Sequence, residues 1–132
     1  TVVRYSETQK ASGDKKALTL QDEALKDLVR FFADAGDMQE AEDYFRGLGK
    51  EELYNKMLKR LASMYFEQGK FEQAIVTYRK LIAENADSPE APNYQNEIIT
   101  AYQKMGEKEQ TLNEIQKLLQ QYGKNSTWAA KN

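Results

Sequence analysis

The chain has 132 residues, 40% hydrophobic and 30% charged, with 19 Lys and Arg against 21 Asp and Glu for a net charge of −2. That is enough apolar material for a buried core, and a near-neutral balance without long like-charge runs excludes a whole-chain nucleic-acid or membrane-surface footprint. There is no Cys and no His, so Cys and His nucleophiles, imidazole bases and thiolate zinc sites are excluded; two Pro and seven Gly fit an all-α chain with solvated outer faces.

In chain order, residues 1–12 read as the last helix of a preceding unit, closed by Gly13-Asp14. Leu25, Leu28, Val29 and Phe32 then recur at i, i+3, i+4 and i+7, the spacing of one helical stripe, and predict a helix from about Thr19 to Ala35. Gly36-Asp37 breaks it, and Met38, Ala41, Phe45 and Leu48 carry a second stripe to the Gly47–Gly49 stop. The next unit repeats this with Leu58, Leu61, Ala62 and Tyr65, then Gly69, then Phe71, Ala74, Tyr78 and Leu81.

Ser88-Pro89 predicts a new helix start, with Ser as cap and Pro at the first helical position. Ile98, Ile99 and Tyr102, then Gly106, then Leu112, Ile115 and Leu118 make a third pair. After Gly123, Asn125-Ser126-Thr127-Trp128 resembles the cap that precedes the fifth helix of the three pairs. Asn125-Ser126-Thr127 also fits a glycosylation sequon, but reads more simply as that cap. The expected units are 19–49, 50–87 and 88–123, flanked by partial helices at 1–12 and 125–132, a slice from a longer array.

Phe32–Leu48, Tyr65–Leu81 and Tyr102–Leu118 align without gaps, and Gly36, Gly69 and Gly106 lie 33 and 37 residues apart, the length of a two-helix repeat. These residues resemble the tetratricopeptide repeat. The middle copy carries the pattern as Leu58, Leu61-Ala62, Tyr65, Gly69, Phe71, Ala74, Tyr78 and Ala86, lacking only the final Pro. The first matches through Leu25, Leu28-Val29, Phe32, Gly36, Met38, Ala41 and Phe45. In the third, Ile99, Lys108 and Thr111 depart from the pattern. The resemblance implies an all-α, right-handed α-solenoid of antiparallel helix pairs, about three hairpins plus partial flanking helices. Small Ala62 and Ala74 are expected at the helix crossing, with Tyr65, Phe71 and Tyr78 filling the space around it. Gly-Lys-Phe-Glu-Gln-Ala followed by Asp87-Ser88-Pro89-Glu90-Ala91-Pro92 is similar to units of bacterial cell-envelope proteins, which favours the periplasm or outer membrane over the cytoplasm.

In that family the first helix of each pair lines the concave wall. The arc about 100° from each buried stripe then holds Lys26, Arg30 and Ala33; Lys56, Lys59, Ser63 and Phe66; and Asn93, Asn96, Thr100 and Gln103. A groove basic in its first two thirds and amide-rich in its last suits an acidic or C-terminal peptide segment, Lys and Arg bonding carboxylates and Asn or Gln bonding backbone. The opposing reading is that these cations are solvated and neutralised locally, with Asp27, Asp34 and Glu67 nearby. Lys56 and Arg60 resemble the last pair of the family's carboxylate clamp, but Asp27 stands where an Asn belongs. Phe66 is either an exposed contact anchor or packed on the neighbouring hairpin, and Trp128 is a candidate for self-association.

No catalytic residue, metal site or cofactor is expected. Acidic pairs such as Glu51-Glu52 and Asp22-Glu23 read as first-turn residues that complement the helix dipole. No window of eighteen apolar residues occurs, so this segment is not expected to insert in a membrane. The expected function is a non-catalytic protein-interaction scaffold; the alternatives are a module that self-associates through its array ends and an accessory domain of a larger enzyme.

Overall fold

The computed structural model describes residues 14–35 and 37–132, so Gly36 and the helix expected at 1–12 lie outside the described residues. Within them the chain is all-helical: α1 (Asp14–Ala35), α2 (Met38–Gly47), α3 (Glu51–Glu67), α4 (Phe71–Glu84), α5 (Ala91–Lys104), α6 (Lys108–Tyr122) and α7 (Thr127–Lys131). Each helix packs against its successor within a pair, α3 also packs on α1 and α2, and α5 packs on α4. The three expected hairpins are therefore α1/α2, α3/α4 and α5/α6.

The turns explain why the breaks fall where they do. Asp37 caps α2 by accepting from the Glu40 N–H at 3.0 Å, as a short acidic side chain does for an orphan helical donor. After α3, Gly69 takes φ +76°, and the Lys70 N–H donates to the Tyr65 carbonyl at 2.8 Å. After α5, Gly106 takes the same φ, and the Glu107 N–H donates to the Tyr102 carbonyl at 3.0 Å. Both are left-handed glycine caps that satisfy the last carbonyls of one helix and turn the chain into the next.

Two expected boundaries move. α1 begins at Asp14 rather than Thr19, because Lys15, Lys16, Ala17 and Leu18 are good helix formers that extend it backwards. Asp22 and Glu23 are consequently mid-helix, not in a first turn. α5 begins at Ala91 with Pro92 in its first turn. Ser88 instead caps the preceding turn, its Oγ accepting from the Glu90 N–H at 3.1 Å. Ser126 caps α7 by accepting from the Ala129 N–H at 3.1 Å, the role expected of that segment.

One core runs through the hairpins. Ala62 and Ala74 are fully buried beside Tyr65 and Tyr78, so the close helix crossing expected in the middle unit is present. Val29, Phe32, Ala41 and Phe45 fill the first unit; Tyr94, Ile98 and Ala101 join the third to it. The departures of the third unit are tolerated. Ile99 is buried, and Thr111 satisfies its hydroxyl by donating to the Glu107 carbonyl at 2.7 Å.

Candidate protein-binding surface

Aligned on the turn glycines, the positions expected to face a ligand are Lys26, Lys59 and Asn96; Arg30, Ser63 and Thr100; and Lys56 with Asn93. Each lies on a first helix of its pair, and most are exposed. Ala33 is the exception among the clustered residues. It is fully buried, and Lys70 reaches across from the α3/α4 turn to donate to its carbonyl at 2.7 Å.

Two of the cations are already engaged. Lys56 Nζ lies 3.2 Å from Asp22 of α1, and Arg60 Nη2 lies 3.8 Å from the same carboxylate. The Lys56 hydrogen bond holds the Asp22 carboxyl below its usual range. Lys59 Nζ lies 2.9 Å from Glu90 at the head of α5 and 6.0 Å from the Tyr94 ring centroid. Local neutralisation is therefore real for Lys56 and Lys59, through Asp22 and Glu90 rather than Asp27, Asp34 or Glu67. Asp34 instead accepts from Gln68 Nε2 at 2.8 Å. These surface pairs stitch α3 to α1 and to the start of α5 while contributing little each.

Lys26 and Arg30 are exposed, with no ion pair among the described residues. Lys26 lines a hollow of about 180 Å³ between α1 and α3, together with Val29, Arg60, Ser63, Met64 and Glu67. The Arg60 Nη1 atom is buried there without a hydrogen-bond partner among the described residues. The hollow thus offers two cations and a hydroxyl over an apolar floor, with Glu67 at one side.

Asn93, Asn96 and Gln103 are exposed along α5, whereas Thr100 spends its hydroxyl on the Asn96 carbonyl at 3.0 Å. Phe66 does not stand fully exposed. It is half-buried and meets Phe71, at the head of α4 in its own hairpin, edge-on at 5.3 Å. The ring closes the turn instead of standing as an anchor. Trp128 is also engaged, packing edge-on against Tyr122 at 5.4 Å and donating from Nε1 to the Ser88 carbonyl at 2.8 Å.

Sequence reasoning missed a polar network on the second helices. Glu42 is buried and accepts from Arg46, Lys80 and Tyr54 Oη, the last at 3.4 Å; Arg46 also pairs with Glu84 and lies 4.5 Å over the Tyr54 ring. Glu114 is buried too, 3.0 Å from both Arg79 and Lys117, and it accepts from Gln95 Nε2 at 3.3 Å. Burial raises both carboxyls, but the bonds from Lys80 and Arg46, and from Arg79 and Lys117, win and hold them below the usual range. Glu42 had a sequence signal, since it stands in register with Ile75 and Leu112. Glu114, in register with Tyr44 and Thr77, had none.

No group of acidic residues among the described residues is arranged to hold a metal ion, and no described helix is long and apolar enough to cross a membrane. Residues 60–88, which cover the C-terminal part of α3, all of α4 and the turn beyond, match the family model of the tetratricopeptide repeat. No curated protein and no solved structure matches the chain. The repeat match carries the general character of a protein–protein interaction module, and the aligned glycines and buried stripes extend the same hairpin design to the units on either side.

Proposed function

We propose that this chain is a non-catalytic scaffold that docks an acidic peptide segment across α1, α3 and α5. The observation that carries this reading is the hollow lined by Lys26, Arg60 and Ser63 over Val29 and Met64. Its cations and hydroxyl suit a carboxylate, and its floor suits an adjacent apolar side chain. The exposed amides of Asn93, Asn96 and Gln103 continue the same face and suit the extended backbone of the guest. Because Lys56 and Arg60 are paired with Asp22 and Lys59 with Glu90, the discriminating charges in this reading are Lys26 and Arg30. Likeness of the Asp87-Ser88-Pro89-Glu90-Ala91-Pro92 unit to envelope repeat proteins supports a partner in a bacterial envelope or surface assembly.

Fluorescence anisotropy with a panel of labelled peptides ending in acidic residues, against the same panel amidated and neutralised, tests this. Acidic peptides should bind better, and Lys26→Glu with Arg30→Glu should weaken them about tenfold or more, with a marked salt dependence. Equal binding of both panels, or no change in the double variant, would remove the basic hollow as the recognition element.

A further inference from the structure

Three cations of α3, Lys56, Lys59 and Arg60, stand at i, i+3 and i+4, the spacing of one helical stripe. Each is met by a carboxylate from a neighbouring hairpin. Asp22 of α1 serves two of them, its Oδ1 lying 3.2 Å from Lys56 Nζ and 3.8 Å from Arg60 Nη2. Glu90, just ahead of α5, serves Lys59 at 2.9 Å. The positive stripe of the middle hairpin is thus covered from both sides, while Lys26 and Arg30 of α1 stand exposed with no ion pair among the described residues.

The two covering carboxylates are held differently. Glu90 also accepts from Tyr94 Oη at 3.0 Å through its second oxygen, and its own N–H donates to Ser88 Oγ at 3.1 Å, so it keeps its place if Lys59 leaves. Among the described residues, Asp22 has no side-chain partner beyond Lys56 and Arg60. Its side chain is 47% exposed and that of Lys56 49%, so exchanging Asp22 for another carboxylate at these cations costs little. Arg60 gains from the exchange. At 3.8 Å its Nη2 is beyond hydrogen-bond reach of Asp22, and its Nη1 has no hydrogen-bond partner among the described residues, which leaves the guanidinium fork incompletely satisfied. Arg60 also lines the hollow that Lys26 shares.

Taking the acidic guest proposed above as given, we infer that Asp22 is a built-in competitor for it, a carboxylate of this chain that occupies Lys56 and Arg60 until a guest carboxylate replaces it. The first acidic group of a guest meets exposed Lys26 and Arg30 and displaces nothing. A second reaches Lys56 and Arg60 only by turning Asp22 out to solvent. Affinity therefore rises less per added carboxylate than the number of cations would give, and Asp22 is the residue that sets this response. The same bond ties α1 to α3, so the guest takes over a link between two hairpins.

Fluorescence anisotropy tests this with two labelled peptides, one carrying a single carboxylate and one carrying several, and with Asp22→Asn set against Asp27→Asn. Asp27 is exposed on the same helix with no ion pair among the described residues, so its variant removes the same charge without freeing a cation. Asp22→Asn should tighten the multiply acidic peptide about two- to fivefold, the range of an exposed ion pair, and the singly acidic peptide less. Asp27→Asn should give the smaller gain with both. In a Lys56→Met background the gain from Asp22→Asn should shrink, because less positive charge is released. Equal gains from the two Asp variants, no gain from Asp22→Asn, or an undiminished gain in the Lys56→Met background would overturn Asp22 as the competitor, and the acidic guest would stand if acidic peptides still bind better than neutral ones. Absence of that preference in every variant would remove the guest and the competitor together.

Discussion

Glu42 and Glu114 are buried, Glu42 at a position that is aliphatic in the other two units, and each is tolerable only because it is charged and bonded to cations. Their folded-state carboxyls are held below the ordinary 4.5, so the unfolded chain takes up protons first as pH falls. Their contribution is complete above that value and disappears as pH drops through the depressed folded-state range. Urea unfolding between pH 7 and pH 3 should therefore show stability falling below about pH 4.5 in wild type, with a shallower fall in a Glu42→Gln, Glu114→Gln double variant. An unchanged slope would mean that other carboxylates govern acid unfolding. At the alkaline end the sign reverses. Burial raises the Tyr78 and Tyr94 hydroxyls to about 12 from 10.0, so they stabilise the fold below pH 10, and that contribution is lost as pH rises through about 12.

Helix and turn positions depend on local chemistry that can be tested one residue at a time. Gly69 sits at φ +76° in open space, so Gly69→Ala meets no neighbour but strains its own backbone, costing about 1 kcal/mol. Gly47 is helical and equally uncrowded, so Gly47→Ala should be neutral or stabilising by up to about 1 kcal/mol. Chemical denaturation of the pair checks the contrast, and equal effects would contradict the cap assignment. The same local chemistry made the elements legible: the stripes through Leu58, Leu61 and Tyr65, and the glycines after them, specify hairpins by periodicity and turn geometry alone. Where reading fell short, the cause was contact across the fold. Asp22 is an ordinary acidic residue until Lys56 arrives from thirty-four positions away, and Phe66 is a candidate anchor until Phe71 covers its edge. The basic row was thus readable as a set of residues but not as a field, because its neutralising partners belong to other hairpins.

For the whole molecule, stability is shared between units through these cross-hairpin bonds as well as through the apolar core. Repeat arrays behave as stacked units with nearest-neighbour coupling, and their cooperativity depends on how strong that coupling is. Wild type should unfold in one transition, with far-ultraviolet circular dichroism and Trp128 fluorescence coincident. Lys80→Ala together with Arg79→Ala should separate the two signals, because the first hairpin and the last would then each lose the tie from a buried carboxylate to the middle one. Coincident curves in that variant would show that these two ties do not carry the coupling. Arg79 and Lys80, adjacent in sequence, reach in opposite directions, one to Glu114 in the third hairpin and the other to Glu42 in the first. In mechanical language they form a crossbar: a load applied at one end of the array passes through the middle helix to the other, so a partner that tugs on α6 is felt at α2.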